Sequence, residues 1–305
     1  MSGASCYGKG DGAAAFRKPR ENLVKNIAIL PTLLTLGNGV CGFAAIAYAS
    51  KIGPHSESGE IDHYFVVSAC LILAAMVFDV LDGYAARLSK TASEFGGQLD
   101  SLCDAISFGV APAFVLLRLG MDWMQPLVRQ AVALIAALYV VCAVLRLARF
   151  NMENTSLLSS SATGGEKAAA SPKRFKGLPS PAAAGCVISL AILRSTHSGI
   201  PPETLAALVR LWAPLGALTA ALLMVSRVPY PHITKQILRG RRSFSVLVQV
   251  VLALFLIALV PSFACFLLFW GYTLSGLLRH VLYRTLRSKS PLTELGPNRE
   301  PSIRP

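Results

Sequence analysis

The chain has 305 residues, of which 53% are hydrophobic and only 15% are charged, whereas a soluble domain carries about 25% charged residues. This deficit excludes an ordinary soluble protein and indicates a chain that lies mostly in lipid. The formal net charge of +13 would suit a nucleic-acid binder, but the basic residues cluster between apolar segments and at the ends. We therefore expect them to meet an anionic membrane surface and not nucleic acid.

Eight apolar segments follow one another along the chain, and each has or approaches the roughly 20 residues that cross a bilayer. They lie near residues 30–50, 63–87, 99–118, 127–149, 179–195, 205–226, 244–260 and 262–284. The two ends, 1–28 and 286–305, are predicted to be disordered tails. The sequence thus predicts an all-α, polytopic transmembrane helical bundle of about eight spans, forming one domain over residues 29–285.

Basic residues are distributed unevenly among the loops between these segments. They are frequent in the N-terminal tail and within 87–90, 167–176, 227–242 and 279–289, and they are sparse in the alternate loops. Arg129 and Arg210, just inside the fourth and sixth segments, also fall on the basic-poor side and weaken the contrast a little. Under the positive-inside rule, both termini of this multi-pass protein face the cytoplasm. We expect it in the cytoplasmic membrane.

Four aspartates lie where the second segment ends and the third begins: Asp79, Asp82, Asp100 and Asp104. Asp79 and Asp82 are about one helical turn apart, and so are Asp100 and Asp104. Because the connection between the two helices is short, we expect them to pack antiparallel, so that the four carboxylates can converge. One charge at membrane depth costs about 2.5–3.5 kcal/mol, and a divalent cation would offset the mutual repulsion. Oxygen-only ligands suit Mg²⁺ or Mn²⁺, and four carboxylates favour two ions at the cytoplasmic side.

Small residues and one arginine lie between these aspartates. Gly83 and Gly96 leave room for a ligand to approach the backbone. Arg87, one turn beyond Gly83, can offer a bidentate fork to a phosphate. Metal ions and an arginine beside a glycine-lined gap indicate a site for a nucleoside diphosphate. Any one of these aspartates could instead be an interfacial charge without a function, but the spacing of the whole set argues against that interpretation.

The pattern D-x2-D-G-x2-A-R-x8-G-x3-D-x3-D resembles the signature of the CDP-alcohol phosphotransferases. Its fixed positions are Asp79, Asp82, Gly83, Ala86, Arg87, Gly96, Asp100 and Asp104. The resemblance implies a helical membrane enzyme that transfers a phosphatidyl or similar group from a CDP-linked donor to an alcohol and releases CMP. It also implies that the first three aspartates bind metal, and that Asp104 both contacts metal and serves as the general base.

The same resemblance implies which residues bind the donor. Gly83, Ala86, Arg87 and Gly96 would line the site of the CDP moiety, and Ser93 stands where the family often offers a hydroxyl to the donor phosphates.

Several segments outside the signature resemble the phosphatidylserine synthase branch of the family. They are Leu30–Asn38, Arg146–Asn151, Phe175–Ala184 and Leu223–Ser226. This likeness implies CDP-diacylglycerol and L-serine as substrates and, by analogy with relatives, a homodimer. Thr32 departs from the asparagine that many relatives carry at this position.

A zwitterion such as serine needs a cation for its carboxylate and oxygen acceptors for its ammonium group. The candidate cations are Arg146, Arg149 and Lys176, and the candidate polar neighbours are Asn38, Asn151 and Ser180. Anchoring at the positive-inside interface is the alternative role for both arginines. A hydrogen bond between helices is the alternative role for the asparagine in the first span.

Two other functions fit parts of the pattern. A phosphatidylglycerophosphate or phosphatidylinositol-type synthase would use the same cluster, although an acceptor that carries a phosphate needs more positive charge than serine does. A cation transporter could use the aspartates as a transport site. Transporters, however, place such residues near the bilayer midplane and often have repeated halves, and this sequence has no second copy of the cluster.

Overall fold

The computed structural model describes residues 17–53, 56–89, 94–120, 125–162, 177–195, 202–226, 228 and 261–288. The α-helices are α1 (Arg17–Ser50), α2 (Ser58–Ser89), α3 (Glu94–Asp104), α4 (Ala111–Leu119), α5 (Pro126–Ala162), α6 (Ser180–Arg194), α7 (Pro202–Val225) and α8 (Pro261–Ser288). A π-helix, Ala105–Val110, joins α3 to α4. Every regular element within these residues is helical, which confirms the all-α prediction.

Six stretches of these helices are long and apolar enough to cross a membrane. They are Leu30–Ser50, Gly59–Ala86, Phe95–Leu119, Pro126–Met152, Ala207–Val225 and Ser262–Leu282. Each one coincides with a predicted span, so the polytopic bundle is confirmed. The predicted span at 179–195 is the 15-residue α6, which is shorter than these six. The predicted span at 244–260 lies outside the described residues, so the total of eight stays a prediction.

The predicted domain boundary at 285 falls close to the end of α8, whereas the boundary at 29 falls within α1. α1 begins at Arg17, inside the stretch 1–28 that was predicted to be a tail, and α8 ends at Ser288. Residues 1–16 and 289–305 lie outside the description. The boundaries at 29 and 285 therefore stay predictions.

Small side chains allow the helices to approach one another closely. Ala45, Ala69 and Ala217 are wholly buried, whereas Leu33 and Leu134 are exposed. This is the arrangement expected in lipid, where close packing of small residues holds helices together and large apolar side chains face the acyl chains. Short α6 lies inside the bundle, in contact with α2, α4, α7 and α8.

The start of α6 is fixed by the end of α7. Gly177 donates its backbone N–H to the Val228 carbonyl at 2.8 Å, and Leu178 donates to Leu223 at 3.0 Å. Gly177 has a φ of 102°, which a residue with a side chain rarely adopts, and a Cβ there would collide with the Met224 carbonyl oxygen. The glycine therefore lets the chain turn tightly against α7 and deliver Ser180 into the bundle.

Candidate active site

Three of the four aspartates form a tight cluster. Asp79 and Asp82 lie near the end of α2, and Asp100 lies on α3. One carboxylate oxygen from each of these three residues is within 4.8 Å of the other two. The carboxylates of these three residues therefore converge, as the sequence predicted.

The chemistry of this cluster fits a hard divalent cation. Within the described part of the chain, Asp82 Oδ2 and Asp100 Oδ1 are buried and have no hydrogen-bond partner. Leaving a buried polar atom unsatisfied costs about 1–3 kcal/mol, and more for a charged group. Because the donor set consists only of carboxylate oxygens, Mg²⁺ or Mn²⁺ would satisfy these atoms and offset their repulsion.

Asp104 ends α3, one turn beyond Asp100, and has a different environment. Its Oδ1 accepts a hydrogen bond of 2.9 Å from Asn38 Nδ2 on α1. It is not one of the three clustered residues, but it lies near enough to Asp79 and Asp100 to interact with them electrostatically. The structure thus gathers all four carboxylates, while the roles of Asp104 as general base and further metal ligand stay predictions.

The predicted donor site has an open face at Gly83. This residue is half-buried, and a Cβ added to it would have no atom of the described residues within 4 Å, apart from its own stretch of α2. Ala86 and Gly96 are also half-buried. Arg87 belongs to α2, but its side chain is outside the described part of the structure, as is Ser93. The space beside Gly83 agrees with the predicted approach of a ligand to the backbone.

The predicted acceptor residues occupy different surroundings. Arg146 is half-buried on α5, and its Nη1 donates to Ser180 Oγ at the start of α6. The same guanidinium group is near enough to Asp79 and Asp104 to interact with them electrostatically. In contrast, Arg149 is exposed.

The two remaining candidates of the acceptor site are Asn151 and Lys176. Asn151 Oδ1 accepts a hydrogen bond of 3.0 Å from Ser101, the residue after Asp100, and so links α5 to α3. Lys176 lies outside the described residues. Of the predicted acceptor residues, the structure therefore brings Arg146, Ser180 and Asn38 to the carboxylates.

Tyr272 of α8 also lies in this region, and sequence reasoning missed it. Trp270 Nε1 donates to the Cys186 carbonyl at 3.3 Å, which fixes α8 against α6. Tyr272 then lies near enough to Arg146 to interact with it. No pattern in the sequence distinguishes Tyr272 from the other tyrosines, because its position depends on how α8 packs on α6.

Comparison with known proteins supports the sequence pattern. A family model described as CDP-alcohol phosphatidyltransferase matches residues 28–215, a range that contains all four aspartates. The CDP-diacylglycerol–serine O-phosphatidyltransferase of Helicobacter pylori is 29% identical over 265 residues, which are 84% of this chain and 92% of that protein.

Two relatives of the same name come from other bacteria. The Bacillus subtilis protein is 31% identical over 206 residues, covering 68% of this chain and 92% of the relative. The Mycobacterium leprae protein is 36% identical over 178 residues, covering 58% of this chain and 51% of the relative. With the family match over more than half of its length and six apolar helices, this chain is a multi-pass membrane protein that belongs to the CDP-alcohol phosphatidyltransferase family.

Proposed function

We propose that the protein is a phosphatidylserine synthase, which transfers the phosphatidyl group of CDP-diacylglycerol to the hydroxyl group of L-serine and releases CMP. The observation that carries this proposal is the cluster of Asp79, Asp82 and Asp100, with Asp104 beside it, inside the family match. The names of the relatives support CDP-diacylglycerol as donor and serine as acceptor.

The carboxylates Asp79, Asp82 and Asp100 would hold the divalent ions, and Asp104 would contribute a further ligand. Two ions of Mg²⁺ or Mn²⁺ are proposed, because the cluster offers more carboxylates than one Mg²⁺ takes from a protein. When bound, the ions would supply positive charge that neutralises the diphosphate of the donor and stabilises CMP as it leaves.

In the proposed reaction, the serine hydroxyl oxygen forms a bond to the phosphatidyl phosphorus, and the bond from that phosphorus to the CMP oxygen breaks. Asp104 accepts the proton of the hydroxyl group as the new bond forms. A positioned base of this kind contributes about 10²–10⁴-fold to a rate. Asp104 suits the role because it lies near the aspartate cluster and is hydrogen-bonded to Asn38 through one oxygen.

The donor would lie along the face of α2 that Gly83 opens. The absence of any atom of the described residues, apart from this stretch of α2, within 4 Å of a Cβ at this position leaves room for the CDP moiety. Ala86 and Gly96 would line the same space, and Arg87 and Ser93 would bind the donor phosphates.

The acceptor would lie beside Arg146. Its guanidinium group is hydrogen-bonded to Ser180 and is near enough to Asp104 to interact with it electrostatically, so a serine carboxylate held there would place the serine side chain near the proposed base. Tyr272 offers a further hydroxyl group on α8, near enough to Arg146 to interact with it electrostatically. Arg149 and Lys176 are the further candidates for the serine carboxylate.

The basic loops support a cytoplasmic orientation of the site. We propose that the protein lies in the cytoplasmic membrane with both termini and the aspartate cluster on the cytoplasmic side. We also propose that it forms a homodimer, by analogy with relatives.

The proposal is tested by CMP release from purified protein in detergent with CDP-diacylglycerol and Mn²⁺ or Mg²⁺. Serine, glycerol 3-phosphate and inositol are offered in parallel reactions. Release with serine alone is expected. Release with another acceptor instead would overturn the choice of serine and leave the reaction class intact. No release with any acceptor would contradict the transferase proposal and favour the cation transporter.

A further inference from the structure

We propose that Asn38 is a positioning residue for Asp104, which holds one oxygen of the carboxylate and leaves the other free to accept the proton of the acceptor hydroxyl. This inference rests on the proposed function, because it assigns Asp104 the role of general base. It adds a part of the machinery that lies on α1, outside the signature that carries the family resemblance.

The hydrogen bond between the two side chains has a fixed direction. A carboxylate only accepts, so the amide end that faces Asp104 at 2.9 Å must be the donor, Nδ2. The other end, Asn38 Oδ1, is buried and has no hydrogen-bond partner among the described residues. A reversed amide would place two acceptor oxygens against each other. Asn38 therefore keeps the bond to Asp104 although its own Oδ1 has no partner among the described residues. This is the arrangement expected of a residue whose role is to position Asp104.

The backbone at Asn38 is held as firmly as its side chain. Ser107 Oγ donates to the Asn38 carbonyl at 2.9 Å within the buried interior. Helix α1 and the π-helix come close together at Gly42, where an added Cβ would lie 2.7 Å from Ser107 Cα. Gly39, next to Asn38, likewise faces Cys103, with 3.0 Å between a Cβ there and the sulfur. These close contacts fix the position of Asn38 along the axis of α1 relative to Asp104.

The helix that carries Asp104 changes form directly after it. The π-helix Ala105–Val110 follows Asp104 without a break, and such widened turns occur frequently at functional sites. The buried hydroxyl of Tyr139 on α5 donates to the Phe108 carbonyl within this π-helix at 3.1 Å. The π-helix is therefore hydrogen-bonded to α1 through Ser107 and to α5 through Phe108. These two bonds fix the orientation of the chain directly after Asp104.

Asn38 acts through Asp104 and not on the substrate. Its exposed fraction is 0%, so the side chain has no surface that a serine molecule could touch in this structure. A positioning role predicts a specific kinetic signature: removing the amide slows turnover without weakening the binding of substrates or metal.

The test compares Asn38→Ala with Asn38→Leu. Both variants remove the donor, but leucine keeps the branched shape and leaves no large cavity. Ser68→Ala is the matched control, because Ser68 is also wholly buried and lies on α2 about 16 Å along the helix from Asp79. CMP release is measured against serine, CDP-diacylglycerol and Mn²⁺ concentration in turn, and thermal unfolding in detergent confirms that each variant is folded.

Both Asn38 variants are expected to lose kcat by about 10–100-fold, the usual effect of a misplaced catalytic group or lost supporting hydrogen bond. The KM values for both substrates and the Mn²⁺ concentration for half-maximal rate should change by less than about twofold. The Ser68→Ala control should match the wild type in all of these quantities.

Several results would overturn the proposal. A kcat equal to that of the wild type would do so, and so would a raised KM for serine at unchanged kcat, which would indicate a substrate contact. A raised Mn²⁺ requirement would indicate a metal ligand, and a normal Asn38→Leu beside a slow Asn38→Ala would indicate packing alone.

A second variant covers the case in which neither Asn38 variant folds. Ser107→Ala keeps the amide and removes only the bond to its carbonyl, so we expect a smaller loss of kcat, about 3–10-fold. An unchanged kcat in this variant would overturn the proposal. If the wild type itself releases no CMP with any acceptor, the proposed function fails. A variant that equals an active wild type overturns only the role of Asn38.

Discussion

The two ends of α2 both carry aspartates, and the surroundings of these aspartates differ. Near the start of the helix, Asp62 Oδ1 lies 3.9 Å from Arg194 Nε of α6, and the Asp62 carbonyl accepts a hydrogen bond of 3.3 Å from Ser195. About 30 Å further along the helix, Asp82 has a buried carboxylate oxygen without a partner among the described residues. Asp62 is therefore paired with a cation of the protein, whereas Asp82 has no ion pair among the described residues.

This difference agrees with a structural role for Asp62 and with the proposed metal-binding role for Asp82. At the Asp62 end, the ion pair and the Arg194 guanidinium over the Phe65 ring, 5.2 Å from its centroid, hold α2 against α6. At the other end, three carboxylates converge and gain nothing from one another, because like charges repel. The proposed divalent ion, bound by all three, would explain why they lie together. Substitutions in the aspartate cluster should therefore lower activity without lowering stability, whereas a substitution of Asp62 should lower stability slightly and leave activity unchanged.

The largest expected effect is the loss of turnover in Asp104→Asn. The amide keeps the shape of the side chain and an oxygen that can accept the bond from Asn38, but it cannot take a proton. CMP release should fall about 10²–10⁴-fold, with the protein folded and CDP-diacylglycerol binding retained. The rate is measured with serine at saturation, and donor binding is measured separately without serine. Normal CMP release would show that Asp104 is not the base.

Asp100→Asn should weaken metal binding as well as the rate. The Mn²⁺ concentration for half-maximal CMP release should rise about 10–100-fold, as expected for an altered metal site. Thermal unfolding in the presence of a chelator gives a second readout. The variant should be at least as stable as the wild type there, because one of several like charges has been removed. An unchanged Mn²⁺ requirement would argue against a metal site at this cluster.

Gly83→Ala tests whether the open space on α2 belongs to the donor. The added methyl group meets no atom of the described residues within 4 Å, apart from its own stretch of α2, and alanine favours a helix over glycine by about 1 kcal/mol, so the folded protein should not be destabilised. If the CDP moiety fills that space, the KM for CDP-diacylglycerol should rise about tenfold, since overpacking costs about 1–3 kcal/mol.

Gly42→Ala is the matched comparison for that variant. Here the added carbon would lie 2.7 Å from Ser107 Cα, so the thermal unfolding temperature should fall. A Gly83→Ala variant with an unchanged KM for the donor would show that the open space is not used by it.

The smallest effect is expected at the other end of α2. Asp62 is 34% exposed and its contact with Arg194 is long, so Asp62→Asn should lower the free energy of unfolding by no more than about 1 kcal/mol. CMP release and the Mn²⁺ requirement should equal those of the wild type. A large loss of activity in this variant would remove the distinction between the two ends.

The features that the sequence predicts well are those set by local patterns. Hydropathy locates the six spans because each segment must cover the bilayer by itself. The fixed spacing of Asp79, Asp82 and Asp100 predicts their convergence because it needs only two helices and a short connection.

The features that depend on packing between distant helices could not be predicted. The sequence suggested Asn38 as a polar neighbour of the acceptor, but nothing in it indicates that Asp104, 66 positions away, accepts its hydrogen bond. The π-helix after Asp104 and the approach of Tyr272 to Arg146 have no local pattern either. The position of Tyr272 depends on how α8 packs on α6.

The most direct test of the metal site is Mn²⁺ binding, followed by electron paramagnetic resonance of the free ion, with CDP-diacylglycerol present and no acceptor. Wild-type protein and Asp62→Asn should remove Mn²⁺ from solution with equal affinity, whereas Asp100→Asn should bind it about 10–100-fold more weakly. Equal binding by Asp100→Asn and the wild type would contradict the assignment of the aspartate cluster as the metal site.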